Sequence, residues 1–114
     1  MSSYSANVRC EARDGAYSSS LGYVADAGKL KSLEWRSVLT PSGHRCTVVA
    51  GEQRAFKGGL QFASGRCTVT LRDLGEYVRV AAANCSELCG SQAYLEPLLI
   101  DRRGACRLLR PEPR

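Results

Sequence analysis

Histidine is almost missing from this 114-residue chain, and His44 stands alone. A lone histidine in Ser42-Gly43-His44-Arg45 reads as a solvated turn residue and not as a general base. The acids are scattered without a paired arrangement, and Lys57-Gly58-Gly59 is a turn signal and not a phosphate-cradling loop. We therefore expect no enzyme, no cofactor and no catalytic residue. Long hydrophobic runs are lacking too: nothing approaches the ~20 apolar residues of a membrane span. Met1-Ser2-Ser3-Tyr4-Ser5 lacks the apolar run of ~7–15 residues that a secretory leader carries. If the protein is exported, its leader has been removed and Met1 added. Aromatics are few, with two Phe, one Trp and five Tyr. They do not interleave with a basic patch, so no nucleic-acid partner is expected.

Cysteine is what the chain has in quantity, with six residues at 10, 46, 67, 85, 89 and 106. An even number dispersed over the whole length suits a disulfide scaffold in an oxidising compartment. Structural zinc is the opposing reading, with Cys85 and Cys89 as two thiolates and Cys67, Cys106 or His44 completing the set. Tetrahedral sites usually draw on two close pairs of ligands, and only Cys85/Cys89 is close. The CxxxC spacing is also not the CxxC of thiol redox enzymes.

Period-two patterning dominates. Ala6–Ala12, Leu21–Ala25, Arg45–Ala50 and Arg66–Arg72 each alternate apolar with polar residues between turn signals. Leu30–Leu39 is compatible with helix or strand, and Trp35, Val38 and Thr40 favour a strand with Leu33, Trp35 and Ser37 on one face. Asp73-Leu74-Gly75 turns Arg66–Arg72 into Glu76–Ala82 as a hairpin. Cys85–Cys89 reads as a turn or short helix. Ala93–Ile100, interrupted by Pro97, reads as an edge strand. The expectation is an all-β fold, a small antiparallel barrel or sandwich of about eight short strands stapled by disulfides. Residues 1–110 form one domain and 111–114 a disordered tail.

The disulfide pairing has 15 formal solutions. Ser42-Gly43-His44-Arg45-Cys46-Thr47-Val48 is echoed by Ser64-Gly65-Arg66-Cys67-Thr68-Val69. A hairpin centred near Phe56-Lys57 would set Cys46 opposite Cys67, at the ~5.5 Å Cα separation a bridge tolerates. Cys85 and Cys89 would then close a tight local loop, leaving Cys10 with Cys106 to join the first and last strands.

Two surface features remain. Phe56, flanked by Arg54 and Lys57 at a hairpin tip, is a contact candidate, with His44 on another turn. The net charge of +5 comes from thirteen Arg and three Lys against eleven acids. It is locally concentrated at Arg102, Arg103, Arg107 and Arg110. That stretch reads as a solvated tail or as an anion site for wall polymer, lipid headgroup or acidic protein.

The stretch Cys67-Thr68-Val69-Thr70-Leu71-Arg72-Asp73-Leu74-Gly75-Glu76-Tyr77-Val78-Arg79-Val80-Ala81 leads on to Cys85-Ser86-Glu87-Leu88-Cys89-Gly90 and Tyr94. It resembles small exported bacterial proteins grouped with periplasmic lysozyme inhibitors. The resemblance implies an eight-stranded antiparallel domain that occludes a wall hydrolase by inserting a loop. Those inhibitors carry a Ser-Gly loop leading to Tyr, whereas here Ser42-Gly43 and Ser64-Gly65 lead to Cys46 and Cys67. Lysozymes are cationic, so a +5 inhibitor would meet them with the wrong sign.

The expectation from sequence is a non-enzymatic, periplasmic or secreted bacterial binding protein whose partner is an envelope protein such as a wall hydrolase. Two alternatives stand beside it: an envelope module binding anions through its C-terminal arginines, and a cytosolic structural zinc protein.

Overall fold

The computed structural model describes residues 4–40, 42–49, 52–54, 58–89 and 95–109, with only the backbone at 52 and 54. The alternating segments become ten strands and one helical turn. They are β1 (Ala6–Asp14), β2 (Tyr17–Asp26), β3 (Lys29–Leu39), β4 (His44–Val49), β5 (Glu52–Arg54), β6 (Gly59–Ser64), β7 (Cys67–Asp73), β8 (Tyr77–Ala83), α1 (Ser86–Cys89), β9 (Leu98–Asp101) and β10 (Cys106–Leu108). All strand pairs are antiparallel, in a smaller sheet β1-β2-β3-β4 and a larger sheet β10-β9-β8-β7-β6-β5. No helix among the described residues is long and apolar enough to cross a membrane.

Period-two alternation puts one face of each sheet into a shared core. Leu21, Tyr23, Leu33, Trp35, Cys46 and Val48 come from the smaller sheet, and Phe62, Val69, Leu71, Val80, Leu98 and Ile100 from the larger. Leu33, Trp35 and Ser37 do share the inward face of β3. Cross-strand register then stacks residues in rows along that face. Ala12, Ser19, Ser37 and Cys46 form one row, and Cys10, Leu21, Trp35 and Val48 the next. The buried Trp35 indole N–H lies one step from Ser19 and donates to its Oγ at 2.7 Å. This bond satisfies a donor that would otherwise be stranded in the core.

The edges are where the two sheets meet. β1 lies beside β10, and Cys10–Cys106 joins them with a Cα separation of 5.7 Å. On the other side Gln53 Oε1 accepts the Leu30 N–H at 2.8 Å, drawing β5 to β3. The two sheets are thus linked on one side by a covalent bridge and on the other by a side-chain hydrogen bond.

The other two bridges differ from the expected ones. Cys46 pairs with Cys89 and Cys67 with Cys85. Cys46 and Cys67 cannot meet across a hairpin because their strands belong to different sheets. β4 pairs β3, while β7 pairs β6 and β8. The antiparallel strands on either side of residues 55–57 are β5 and β6. Cys85 and Cys89 lie at the two ends of the α1 segment, and each reaches outward. Asn84, with a left-handed φ of 59°, turns the chain after β8, a conformation Asn tolerates better than most side chains. The result is a clasp: Cys85 ties α1 to the larger sheet and Cys89 ties it to the smaller. One more correction concerns β9. It lies between β8 and β10, so the edge strand is β10, and Pro97 stands just before β9 where no ladder N–H is needed.

Candidate functional site

With all six cysteines in disulfides, no thiolate is left for the zinc alternative or for cysteine nucleophiles. Three such bridges suit an oxidising environment. Among the described residues no group of three or more His, Cys, Asp or Glu is placed to hold a metal.

The loop candidates divide. Phe56 and Lys57 lie outside the described residues, as does the Arg54 side chain; the Arg54 backbone pairs with Gln61. His44 is described and does not present a free ring on a turn. It opens β4 opposite Leu39, in the inward-facing row that contains Tyr17, and its Nδ1 is buried with no hydrogen-bond partner among the described residues. Alternation with buried Cys46 and Val48 sets that orientation, so His44 belongs to the interior end of the sandwich.

The C-terminal arginines also divide. Arg110 lies outside the described residues. Arg102 and Arg103 are exposed on the β9–β10 turn. The Asp101 carboxylate holds that turn by accepting the N–H groups of Arg103 at 2.9 Å and Ala105 at 3.0 Å. Both arginines border a cleft of about 490 Å³ at the sandwich end, together with Tyr4, Asp73, Glu76 and Asp101. Acids and bases are mixed there, so the cleft has no dominant sign. Arg107 projects instead from β10 onto the outer face of the larger sheet, its guanidinium 5.4 Å from the centre of the Tyr77 ring.

Register on that outer face assembles a set of residues that local sequence reading passed over. Arg72 of β7 is directly opposite Arg79 of β8, Arg79 is opposite Leu99 of β9, and Leu99 is opposite Arg107 of β10. Directly opposed residues project to the same side. Three arginines therefore lie in one line across four strands. At the ~4.8 Å strand spacing, backbone positions are separated by roughly 5 Å and then roughly 10 Å. Leu99 lies outside the inner core yet is only 9% exposed. Its cover fits the flanking arginine stems, which lay methylenes over apolar neighbours while their charged ends stay in water.

The hairpin turn sets this register. Gly75, at a φ of 91°, supplies the left-handed step, Asp73 Oδ1 accepts its N–H at 2.9 Å, and Leu74 N–H bonds the Tyr77 carbonyl at 2.8 Å. The sequence signal was available: once Leu71 and Val80 are taken as paired core residues, Arg72 and Arg79 must oppose each other on the other face.

The smaller sheet treats its charges differently. On its outer face Arg13 pairs with Glu11 at 3.0 Å and Arg36 with Glu34 at 2.9 Å, each two residues along the same strand. Neither Arg79 nor Arg107 forms an ion pair with a described residue. Like charges directly opposite each other in a sheet are unfavourable by themselves. On one side of the row Gln61, Thr70 and Ala81 form the next rank, with Thr68 and Ala83 beyond; on the other side Tyr77 lies opposite Asp101. Gln61 Nε2 donates to Thr70 Oγ1 at 3.0 Å.

No protein-family model, no curated protein and no solved structure matches this chain.

Proposed function

We propose that this protein is an exported, non-enzymatic binding domain of the bacterial envelope, periplasmic or secreted, that captures an anionic ligand on the outer face of its larger sheet. The observation that carries this reading is the line Arg72–Arg79–Leu99–Arg107, a row of guanidinium groups with no carboxylate in it. Guanidinium forks suit carboxylate, sulfate and phosphate oxygens through paired N–H donors. A rigid sheet places them without the ordering cost of a loop. Three disulfides support export, since such scaffolds persist in oxidising compartments. The site differs from the expected C-terminal tail: Arg107 is shared, and Arg72 and Arg79 replace the residues at the chain end. Inhibition of a wall hydrolase rests on the resemblance and on His44, Arg54, Phe56 and Lys57, of which Phe56, Lys57 and the Arg54 side chain lie outside the described residues.

The test is a titration of ¹⁵N-labelled protein with inorganic triphosphate. Amide shifts confined to Arg72, Arg79, Leu99, Arg107 and their neighbours are expected at low salt. They should vanish near 1 M salt, where the Debye length is about 3 Å. Absence of shifts on this face removes the reading.

A further inference from the structure

Resting on that anion-binding reading, we propose that the ligand is an acidic polysaccharide, a linear sugar polymer bearing carboxylate or sulfate groups, laid across the strands along the arginine row. The line of charge is the first reason. It runs perpendicular to the strands for roughly 15 Å, longer than a single small anion spans. A monomeric anion would occupy the Arg72–Arg79 pair and leave Arg107 unused, whereas a polymer reaches all three.

The second reason is the spacing. Leu99 interrupts the row, so an uncharged stretch of ligand must pass between the anionic groups that meet Arg79 and Arg107. A chain whose charges are separated by neutral sugar atoms meets that demand.

The third reason is the surface beside the row. Gln61, Thr68, Thr70, Ala81 and Ala83 are short, and the polar ones carry hydroxyl or amide groups. They offer hydrogen bonds and clearance to a hydroxyl-rich chain. Nucleic acid fits less well: among the described residues Tyr77 is the ring on this face, and Arg107 already lies over it. An open aromatic platform for base stacking is therefore missing there. A lipid surface fits less well too. Among the described residues the exposed large apolar ones are Val49, Leu74 and Leu88, none of them in the row. Interfacial binding to lipid draws on buried apolar area as well as charge.

The experiment is isothermal titration of the intact oxidised protein with four probes matched in charge. These are an oligogalacturonate, a sulfated oligosaccharide, a single-stranded oligodeoxynucleotide and vesicles containing phosphatidylglycerol. Galacturonic acid and neutral dextran serve as references. The expected result is binding to the acidic oligosaccharides, at least about tenfold tighter than the monomer, with none to dextran. Arg79→Gln and Arg107→Gln should each weaken it about tenfold, as loss of one charge-assisted contact does. Arg36→Gln, on the smaller sheet, should leave it unchanged.

Tighter binding to the oligonucleotide or the vesicles overturns the polysaccharide assignment and leaves the anion face standing. Equal affinity for monomer and oligomer overturns the linear ligand. Binding that survives both row substitutions overturns the row itself. Failure of every anion overturns the proposed function along with this inference.

Discussion

Breaking the Cys10–Cys106 bridge by a paired Cys10→Ala and Cys106→Ala replacement should be the most destabilising of the loop-opening changes that leave the deep core alone. The bridge spans 96 residues of sequence and is the covalent link between β1 and β10, edge strands of different sheets that share no ladder. In the chain-entropy treatment a loop of that size restricts the unfolded state by about 4.7 kcal/mol. Cys67–Cys85 spans only 18 residues, and the same treatment gives about 3 kcal/mol. Cys10 and Cys106 are half-buried, so alanine there leaves a modest cavity. The loss should therefore reflect the loop more than the packing. Urea unfolding of the oxidised variants, followed by far-ultraviolet circular dichroism, measures both. The Cys10/Cys106 variant should lose about 4–5 kcal/mol and show a steeper urea dependence, because its unfolded chain exposes more surface. A loss well under about 4 kcal/mol, or an unchanged urea dependence, would refute the idea that the long bridge acts on the unfolded chain.

Three further predictions test the interior and the bridge map. Trypsin digestion without reduction should give the peptide 10–13 linked to 104–107, and a three-peptide complex of 46–54, 67–72 and 80–102. A two-peptide product joining 46–54 to 67–72, with 80–102 closed on itself, would overturn the clasp made by Cys46–Cys89 and Cys67–Cys85. Ser19→Ala removes the acceptor of the buried Trp35 N–H and should cost about 1–3 kcal/mol in urea unfolding. Ser20→Ala, on the exposed side of the same strand, should stay within about 0.5 kcal/mol of the parent. Burial raises the phenols of Tyr23, Tyr17 and Tyr4 above their ordinary value, and at Tyr23 the hydrogen bond with Tyr4 adds to the effect. Unfolded tyrosines release their protons near pH 10 while these three hold theirs, so the unfolded state binds fewer protons and stability falls as pH rises above about 10. Absorbance at 295 nm should show them ionising only as the fold opens. Simultaneous ionisation of all five tyrosines in the folded protein would contradict their burial.

Strand positions were legible wherever one face is buried. In β7 the order Cys67, Val69, Leu71 against Thr68, Thr70, Arg72 prescribes inside and outside before any partner is known. β2 was read short: Ser18, Ser19 and Ser20 carry little strand propensity, but ladders to β1 and β3 on both sides extend it to Tyr17. The Ala93–Ile100 reading failed on position, since whether a strand lies at an edge depends on the arrival of β10 beyond it. Ser42-Gly43 does mark a turn, and the face that His44 takes in the strand that follows is set by Cys46 and Val48.

Composition and alternation by themselves determined the all-β class, the inward face of each long strand and the presence of a disulfide scaffold. Each depends on the character of a residue and its near neighbours, and a period of two is a local property. Only the tertiary structure decided which cysteines meet and which arginines line up. Cys46 and Cys67 sit in look-alike segments, yet the chain passes from one sheet to the other between them, and proximity follows the sheets and not the sequence echo. Arg107 lies 28 residues from Arg79, and they join one row because β9 inserts between β8 and β10 with Leu99 in register. Cross-strand register couples distant residues through backbone hydrogen bonds, and those bonds exist only once the sheet has formed.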